Sequence, residues 1–402
     1  MKITHIHIER FRGFQNEDFE VGSLLTAIAG QNGTQKSTLL GIITQTFTLK
    51  TEDSMRVEKP LCGGSYISAF KDKFRLSPTF DKPKGHEWTI SFDAGMDDFT
   101  VESIKRTGDP NVRFWKKGTR QEGDGYISFP TIFLSLKRLV PVAEEAKIIT
   151  DDTLLTQEEL NEFKQLHNKI LIAQTPISSA TTITSKNKQS IGVSTELYDW
   201  NQNSMGQDNL GKIILALFSF KRLHDKYPRQ YKGGILAIDE MDATMYPASQ
   251  VELLKVLRKY ASKLNLQILF TTHSMSLLKA MDDLVQEVTK KEETANQAKI
   301  LYLKKVDDKI AIKQGVNFKG IQLDLNVVAE GNNRKKNRIT AYTEDKENIL
   351  FVKAILKSKA FVLDFVDVTL PCSTLMELVT KRVPAFIYPC LLYTSPSPRD
   401  RG

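Results

Sequence analysis

Leu24-Leu25-Thr26-Ala27-Ile28-Ala29 runs into Gly30-Gln31-Asn32-Gly33-Thr34-Gln35-Lys36-Ser37, and Thr38-Leu39-Leu40-Gly41-Ile42-Ile43 follows. An apolar strand, a glycine-containing loop and an apolar helix are the context a phosphate-binding loop requires. Successive backbone N–H groups and the helix N-terminus must converge on the β- and γ-phosphates of a nucleotide. Lys36 offers the point charge and Ser37 a hydroxyl for a magnesium ion, with Gly30, Asn32, Gly33, Thr34, Gln35 and Thr38 lining the loop. Gln35 stands where such loops usually carry their last glycine. A left-handed conformation there costs a non-glycine residue about 1–2 kcal/mol, so Gln35 is expected at negative φ, as a first-turn helical residue.

Outward from the loop, two further apolar runs end in polar groups. Gly233-Gly234-Ile235-Leu236-Ala237-Ile238 reads as a strand buried on both faces and finishes in Asp239-Glu240. Ligands of open α/β sheets bind at that C-terminal edge. Asp239 is placed to hold magnesium, and Glu240 to polarise an attacking water as a general base. Leu266-Gln267-Ile268-Leu269-Phe270 leads to Thr271-Thr272-His273-Ser274, where His273 can hydrogen-bond a γ-phosphate and register its loss. Each piece alone has a plain structural reading; three in this order, each at a strand end, converge on one site. Helical patterns at about 208–226, 247–263 and 274–282 alternate with these strands, which predicts a mostly parallel sheet with helices on both faces.

The rest of the chain bounds the reading. Its 402 residues suffice for two or three cores. No run of about 18 apolar residues occurs, so a cytoplasmic protein without membrane partners is expected. Cys62, Cys372 and Cys390 lack ligand spacing, which argues against a disulfide framework or a zinc site. A net charge of +8 favours polyanionic partners, although most such charge is solvated surface. Segments such as WTISF and DFTVES, between about 50 and 135, predict an antiparallel β layer inserted into the core. The polar stretch SSATTITSKNKQS is expected to be a surface loop. About 170 residues separate the loop from the later motifs without sustained heptads, which excludes a long coiled coil.

The opening IHIERFRGF, the loop GQNGTQKST and the spacing of Asp239-Glu240 and His273 resemble the ABC ATPase superfamily. The resemblance is to its RecF-like, structural-maintenance-of-chromosomes-like and OLD-nuclease-like heads. Asn203-Ser204-Met205-Gly206-Gln207-Asp208 resembles a degenerate ABC signature, with Met205 in place of the first glycine; a capped helix start is the plain alternative. The resemblance implies ATP and Mg2+ as ligands. It also implies a homodimer sandwiching ATP, in which Ser204, Gly206 and Gln207 of one protomer complete the site of the other. Met241 to Pro247 resembles the D-loop, with Tyr246 where many relatives have histidine. The Q-loop is not identified; SLKRLVPV at 135–142, with Arg138, marks its neighbourhood.

Together these motifs cover 1–285, the expected ATPase head, with its inserted β layer at about 50–135 and its helical and signature region at about 145–226. Residues 286–337 read as a β-hairpin and a basic linker ending in Arg334-Lys335-Lys336-Asn337-Arg338, a DNA-phosphate contact or a solvated linker. Residues 338–389 resemble the start of a TOPRIM domain, which implies Glu344 as a metal-site glutamate; Asp345 and Asn348 depart from that pattern, and the plain alternative is a helix cap. Residues 390–402, beginning CLLYTSPSPRD, resemble translated sequencing-adapter read-through, so the natural chain is expected to continue differently. The implied function is the ATPase portion of an OLD-like anti-phage ATPase–nuclease, acting on DNA or on a nuclease effector. A DNA-repair or chromosome-maintenance ATPase without nuclease activity is the alternative. A transporter subunit is disfavoured by the FRGF opening, the degenerate signature and the basic charge.

Overall fold

The computed structural model describes all residues except 68–72, 94, 106–111, 119–124, 136–148, 152–153, 174, 185–188, 330–338, 358–359, 361–362, 370, 381–389 and 392–402. Arg138 and the basic run 334–338 therefore lie outside the described residues. The chain divides into two compact units, Met1–Leu325 and Asn326–Gly402.

In the first unit the strands, in chain order, are β1 (Ile3–Phe11), β2 (Phe14–Glu20), β3 (Leu25–Gly30), β4 (Phe47–Thr48), β5 (Glu87–Phe92), β6 (Phe99–Lys105), β7 (Val112–Lys116), β8 (Ile127–Ser128) and β9 (Thr131–Leu134). β10 (Ile149–Asp151), β11 (Ser179–Thr184), β12 (Gln189–Ser194), β13 (Gly234–Ile238), β14 (Leu266–Thr272), β15 (Ala298–Val306) and β16 (Lys309–Gln314) follow. The central sheet has the order β16-β15-β3-β14-β13-β9. It is parallel throughout except for the edge strand β16.

Every residue of β3, β13 and β14 is buried, as continuous apolar runs require when both sheet faces are covered. Alternation then sorts the side chains. Leu25, Ala27, Leu236, Ile238, Ile268 and Phe270 join a core with the helices Met205–Lys226, Pro247–Lys263 and Met275–Thr289. Ile28, Ile235, Ala237 and Leu269 face the opposite core, shared with Leu39, Leu40, Ile42 and Ile43 of the helix Lys36–Thr44. Beyond that helix lies the second sheet, β2-β1-β5-β6-β7, which is antiparallel and contributes Ile6, Ile8, Phe11, Trp88 and Phe114. The expected β layer is thus assembled from the N-terminal hairpin and the strands at 87–116. Gln267 joins the two sheets: its buried amide accepts from Ile3 N at 2.7 Å and donates to Ile3 O at 2.8 Å and Gly22 O at 3.1 Å.

The hairpin β15–β16 hydrogen-bonds along β3 and so belongs to the central sheet. Most of the described residues of the polar stretch expected to be a loop instead lie in β11 and the start of β12, which pair antiparallel, because the β-branched run Thr181-Thr182-Ile183-Thr184 suits a strand.

The second unit has β17 (Ile339–Thr343), β18 (Leu363–Thr369) and β19 (Cys390–Leu391) in the order β18-β17-β19, all parallel. The helix Lys346–Leu356 connects β17 to β18. Cys390 and Leu391, which open the adapter-like segment, pair with Ala341 and Tyr342.

The core contains an acid-sensitive group. His167, on the helix Gln157–Leu171, is 2% exposed, and burial pushes its imidazole down to about 4. The unfolded chain therefore binds a proton near pH 6.5 that the folded chain refuses until about pH 4, so stability falls as the pH drops through that window. The full effect is about 3 kcal/mol. Urea unfolding at pH 7.5 and 4.5 should show a smaller acid loss for His167→Leu than for the wild type; equal losses would contradict this assignment.

Candidate functional site

Parallel pairing puts three strand ends on one edge of the sheet. Ala29 pairs with Thr272 and Ile238 with Phe270, so Gly30, Asp239 and His273 leave the sheet side by side. The loop strand and the carboxylate strand are not neighbours, because β14 lies between β3 and β13. The helix Lys36–Thr44 packs over β3, β14 and β13, and its first turn closes the gap. Ser37 Oγ donates to Asp239 Oδ1 at 2.9 Å. Loop and carboxylate therefore meet although their strands do not.

The loop wraps around Lys36, which is 8% exposed and donates through Nζ to Gly30 O at 3.2 Å and Gln31 O at 2.9 Å. Thr34 Oγ1 donates to Gln31 O at 2.8 Å, while Asn32 and Gly33 are exposed at the rim. Burial lowers the Lys36 pKa, and the carboxylates of Glu240, Asp239 and Asp242 oppose that shift. Gly30 has φ 153 and Gly33 φ 81, conformations that L side chains rarely adopt.

Gln35 departs from its expected negative φ: it sits at φ 62, ψ 33, as the left-handed N-cap of the helix. The loop must reverse before the helix begins, and this geometry is imposed whether or not glycine supplies it. The side chain finds space against the β1–β2 turn, where Gly13 lacks a Cβ; one built there would lie 2.9 Å from Gln35 Nε2. The left-handed backbone costs about 1–2 kcal/mol there. Thr38, half-buried on the helix, lies 3.5 Å from Arg12 Nη1. Arg12 is held by Asp81 through two contacts of 3.1 Å.

Glu240 follows Asp239 at φ 54. Burial raises its pKa, as do the neighbouring charges of Asp239 and Asp242, which moves the carboxylate toward the range useful for a base near neutrality. His273 N donates to both carboxylate oxygens of Asp242 at 3.3 Å. Solvent reaches the His273 ring, yet the protein packed around it, and then the Lys36 cation, hold its pKa below the ordinary imidazole value.

Ser204 and Gln207 form a capping box at the start of Met205–Lys226: Ser204 Oγ accepts from Gln207 N at 3.4 Å, and Gln207 Oε1 accepts from Ser204 N at 2.8 Å. Gln207 Nε2 also donates to Tyr198 Oη at 2.8 Å. Gly206 packs against the turn after β13, where a Cβ would meet Thr244 O at 2.5 Å. Asp208 Oδ1 accepts from Ser190 Oγ and Asn209 Nδ2 donates to Thr244 Oγ1 at 3.0 Å; among the described residues, Ser204, Gly206 and Gln207 make no hydrogen bond to the loop around Lys36. Glu344 lies exposed in the second unit, next to Asp345, which caps the helix Lys346–Leu356 by accepting from Asn348 N at 2.7 Å. Among the described residues, no group of three or more His, Cys, Asp or Glu is arranged to hold a metal ion.

Sequence reasoning assigned no role to Asp242 or Thr271. Their signal was faint: a third acid two residues beyond Glu240, and a threonine closing a run of otherwise mostly apolar residues.

Residues 135–278 match the family model for an AAA ATPase domain. That span is less than half of the chain, and it includes β13, β14 and their polar ends. No curated protein matches at a significant level. Among solved structures, the SMC head domain from Thermotoga maritima is similar at 13% identity, covering 79% of this chain and 100% of its own, with a TM-score of 0.43. An Smc head with an extended coiled coil, bound to the C-terminal domain of ScpA and derived from Pyrococcus furiosus, gives 13%, 82%, 99% and 0.42. The recombination mediator protein RecF gives 12%, 78%, 98% and 0.39. Among the described residues, no helix is long and apolar enough to cross a membrane.

Proposed function

We propose that this chain is an ATP-binding and ATP-hydrolysing head that dimerises on ATP and acts on DNA or controls a nuclease effector, as in an OLD-like anti-phage ATPase–nuclease. The observation that carries the hydrolytic part is the 2.9 Å contact between Ser37 Oγ and Asp239 Oδ1, with Lys36 buried beside it. A loop rich in N–H donors and a carboxylate pair at one sheet edge can clamp a triphosphate between them.

Ser37 and Asp239 offer the hard oxygen donors that Mg2+ prefers alongside phosphate oxygens and water, so the residues present fit that ion. When bound, Mg2+ neutralises developing phosphate charge. Lys36 binds and orients the β- and γ-phosphates, Glu240 takes the proton of the attacking water, and His273 reports the γ-phosphate. Ser204, at a helix N-terminus, is available to the γ-phosphate of a second protomer.

The effector half of the reading rests on the second unit. There the parallel pair β17–β18 with its connecting helix places Glu344 just beyond a strand's C-terminal end. The helix-capping role of Asp345 favours the alternative of a DNA-repair or chromosome-maintenance ATPase, since a cap alone accounts for an acidic turn.

Steady-state phosphate release with and without duplex DNA tests the proposal. ATP turnover that DNA raises several-fold, and that falls to background in Lys36→Ala, is the expected result. Turnover absent in the wild type, or unchanged in that variant, would overturn the hydrolytic reading; turnover indifferent to DNA would overturn the DNA part.

A further inference from the structure

We propose that Thr271 is a positioning residue that aims both carboxylates of this site, an inference that rests on the hydrolytic reading above. β14 is the strand between the loop strand and the carboxylate strand, so its C-terminal end adjoins both halves of the site. Thr271 is 0% exposed there. Its hydroxyl donates to Asp239 Oδ1 at 2.7 Å and accepts from Glu240 N at 2.7 Å. A hydroxyl has one proton to give, and here it is committed to the carboxylate. The Thr271 carbonyl takes a third bond, from Met241 N at 3.0 Å.

Three consecutive residues, Asp239 to Met241, are thereby tied to one threonine. The ties matter because Glu240 holds φ 54, a strained conformation that persists only when its surroundings over-determine it. Its N–H is fixed by the Thr271 hydroxyl, which sets the direction in which the Glu240 side chain leaves the backbone. Asp239 is fixed from two sides, since Oδ1 accepts from Ser37 as well as Thr271. Valine has the shape of threonine without the donor and acceptor. Thr271→Val should therefore keep the core packed, release the Glu240 amide and remove one of the two hydroxyls that donate to the Asp239 carboxylate among the described residues.

Two measurements test this. In ATP turnover, Thr271→Val is expected to lower kcat about tenfold or more with KM for ATP within about threefold, and Thr271→Ser to restore kcat to within about threefold, as for a lost hydrogen bond to a charged group. In the nucleotide-free protein, hydrogen exchange at the Glu240 amide should quicken about tenfold in Thr271→Val and stay slow in Thr271→Ser. An unchanged kcat in Thr271→Val, a failure of serine to restore it, or unaltered Glu240 exchange would each overturn the positioning role. Absence of turnover in the wild type overturns the hydrolytic reading instead, and exchange at Glu240 then decides by itself whether Thr271 anchors the pair.

Discussion

Replacing Lys36 by alanine is expected to weaken ATP binding about a hundredfold or more, because two charge-assisted hydrogen bonds to phosphate are worth roughly 3 kcal/mol together. In the structure the ammonium donates to Gly30 O and Gln31 O, partners that phosphate oxygens would replace. What the site gains is the difference, which is large because charged acceptors hold an ammonium about twice as strongly as neutral ones. The substitution also removes the Lys36 bond to Gly30 O, while Gln31 O keeps its bond from Thr34 Oγ1. Calorimetric titration with ATP at fixed Mg2+ measures the loss. A dissociation constant within about threefold of wild type would show that the loop is no phosphate cradle. Thermal melting separates this from unfolding: a variant that melts near the wild-type temperature yet binds ATP weakly has lost a ligand contact and not the fold.

The apolar runs of β3, β13 and β14 were legible because both faces of these strands are buried, leaving mostly hydrophobic stretches that end in glycine or polar residues. The polar residues that end those runs were legible for the same reason: they mark where the sheet stops. Strand order was not legible. Nothing in LLTAIAG or GILAIDE says that LQILFTT lies between them; that follows from where the connecting helices cross, a property of the assembled layers.

Gln35 shows a different limit. Judged by its own backbone preference it belongs at negative φ, but the turn demanded by its neighbours overrides that preference, and the room beside Gly13 that makes the override tolerable comes from a residue 22 positions away. The β11–β12 pair was misjudged because serine, asparagine and lysine drew attention from the β-branched run Thr181-Thr182-Ile183-Thr184. The capping box of Ser204 and Gln207 is local and could be read directly, whereas a site shared between two protomers is not written in either one.

Replacing Glu240 by glutamine is expected to lower kcat by about 10²–10⁴-fold, the usual contribution of a general base, while ATP affinity is kept or improved. The amide has the shape of the carboxylate but cannot take a proton from water. It also removes one negative charge from a cluster that already contains Asp239 and Asp242, the same crowding that, after burial, raises the Glu240 pKa. A triphosphate entering that cluster meets less repulsion, so the bound state lengthens while its chemistry stalls. If each site is completed by the signature helix of a second protomer, the stalled state is a dimer. Light scattering after size exclusion should then find dimers of Glu240→Gln with ATP, and monomers with ADP or in the Lys36→Ala variant. The pH profile supplies the sign: wild-type kcat should fall as acid protonates Glu240 through its raised pKa, and the residual rate of Glu240→Gln should be flat over the same range. Turnover near the wild-type rate in this variant would remove Glu240 from the mechanism, and a stalled enzyme that stays monomeric with ATP would remove the shared site.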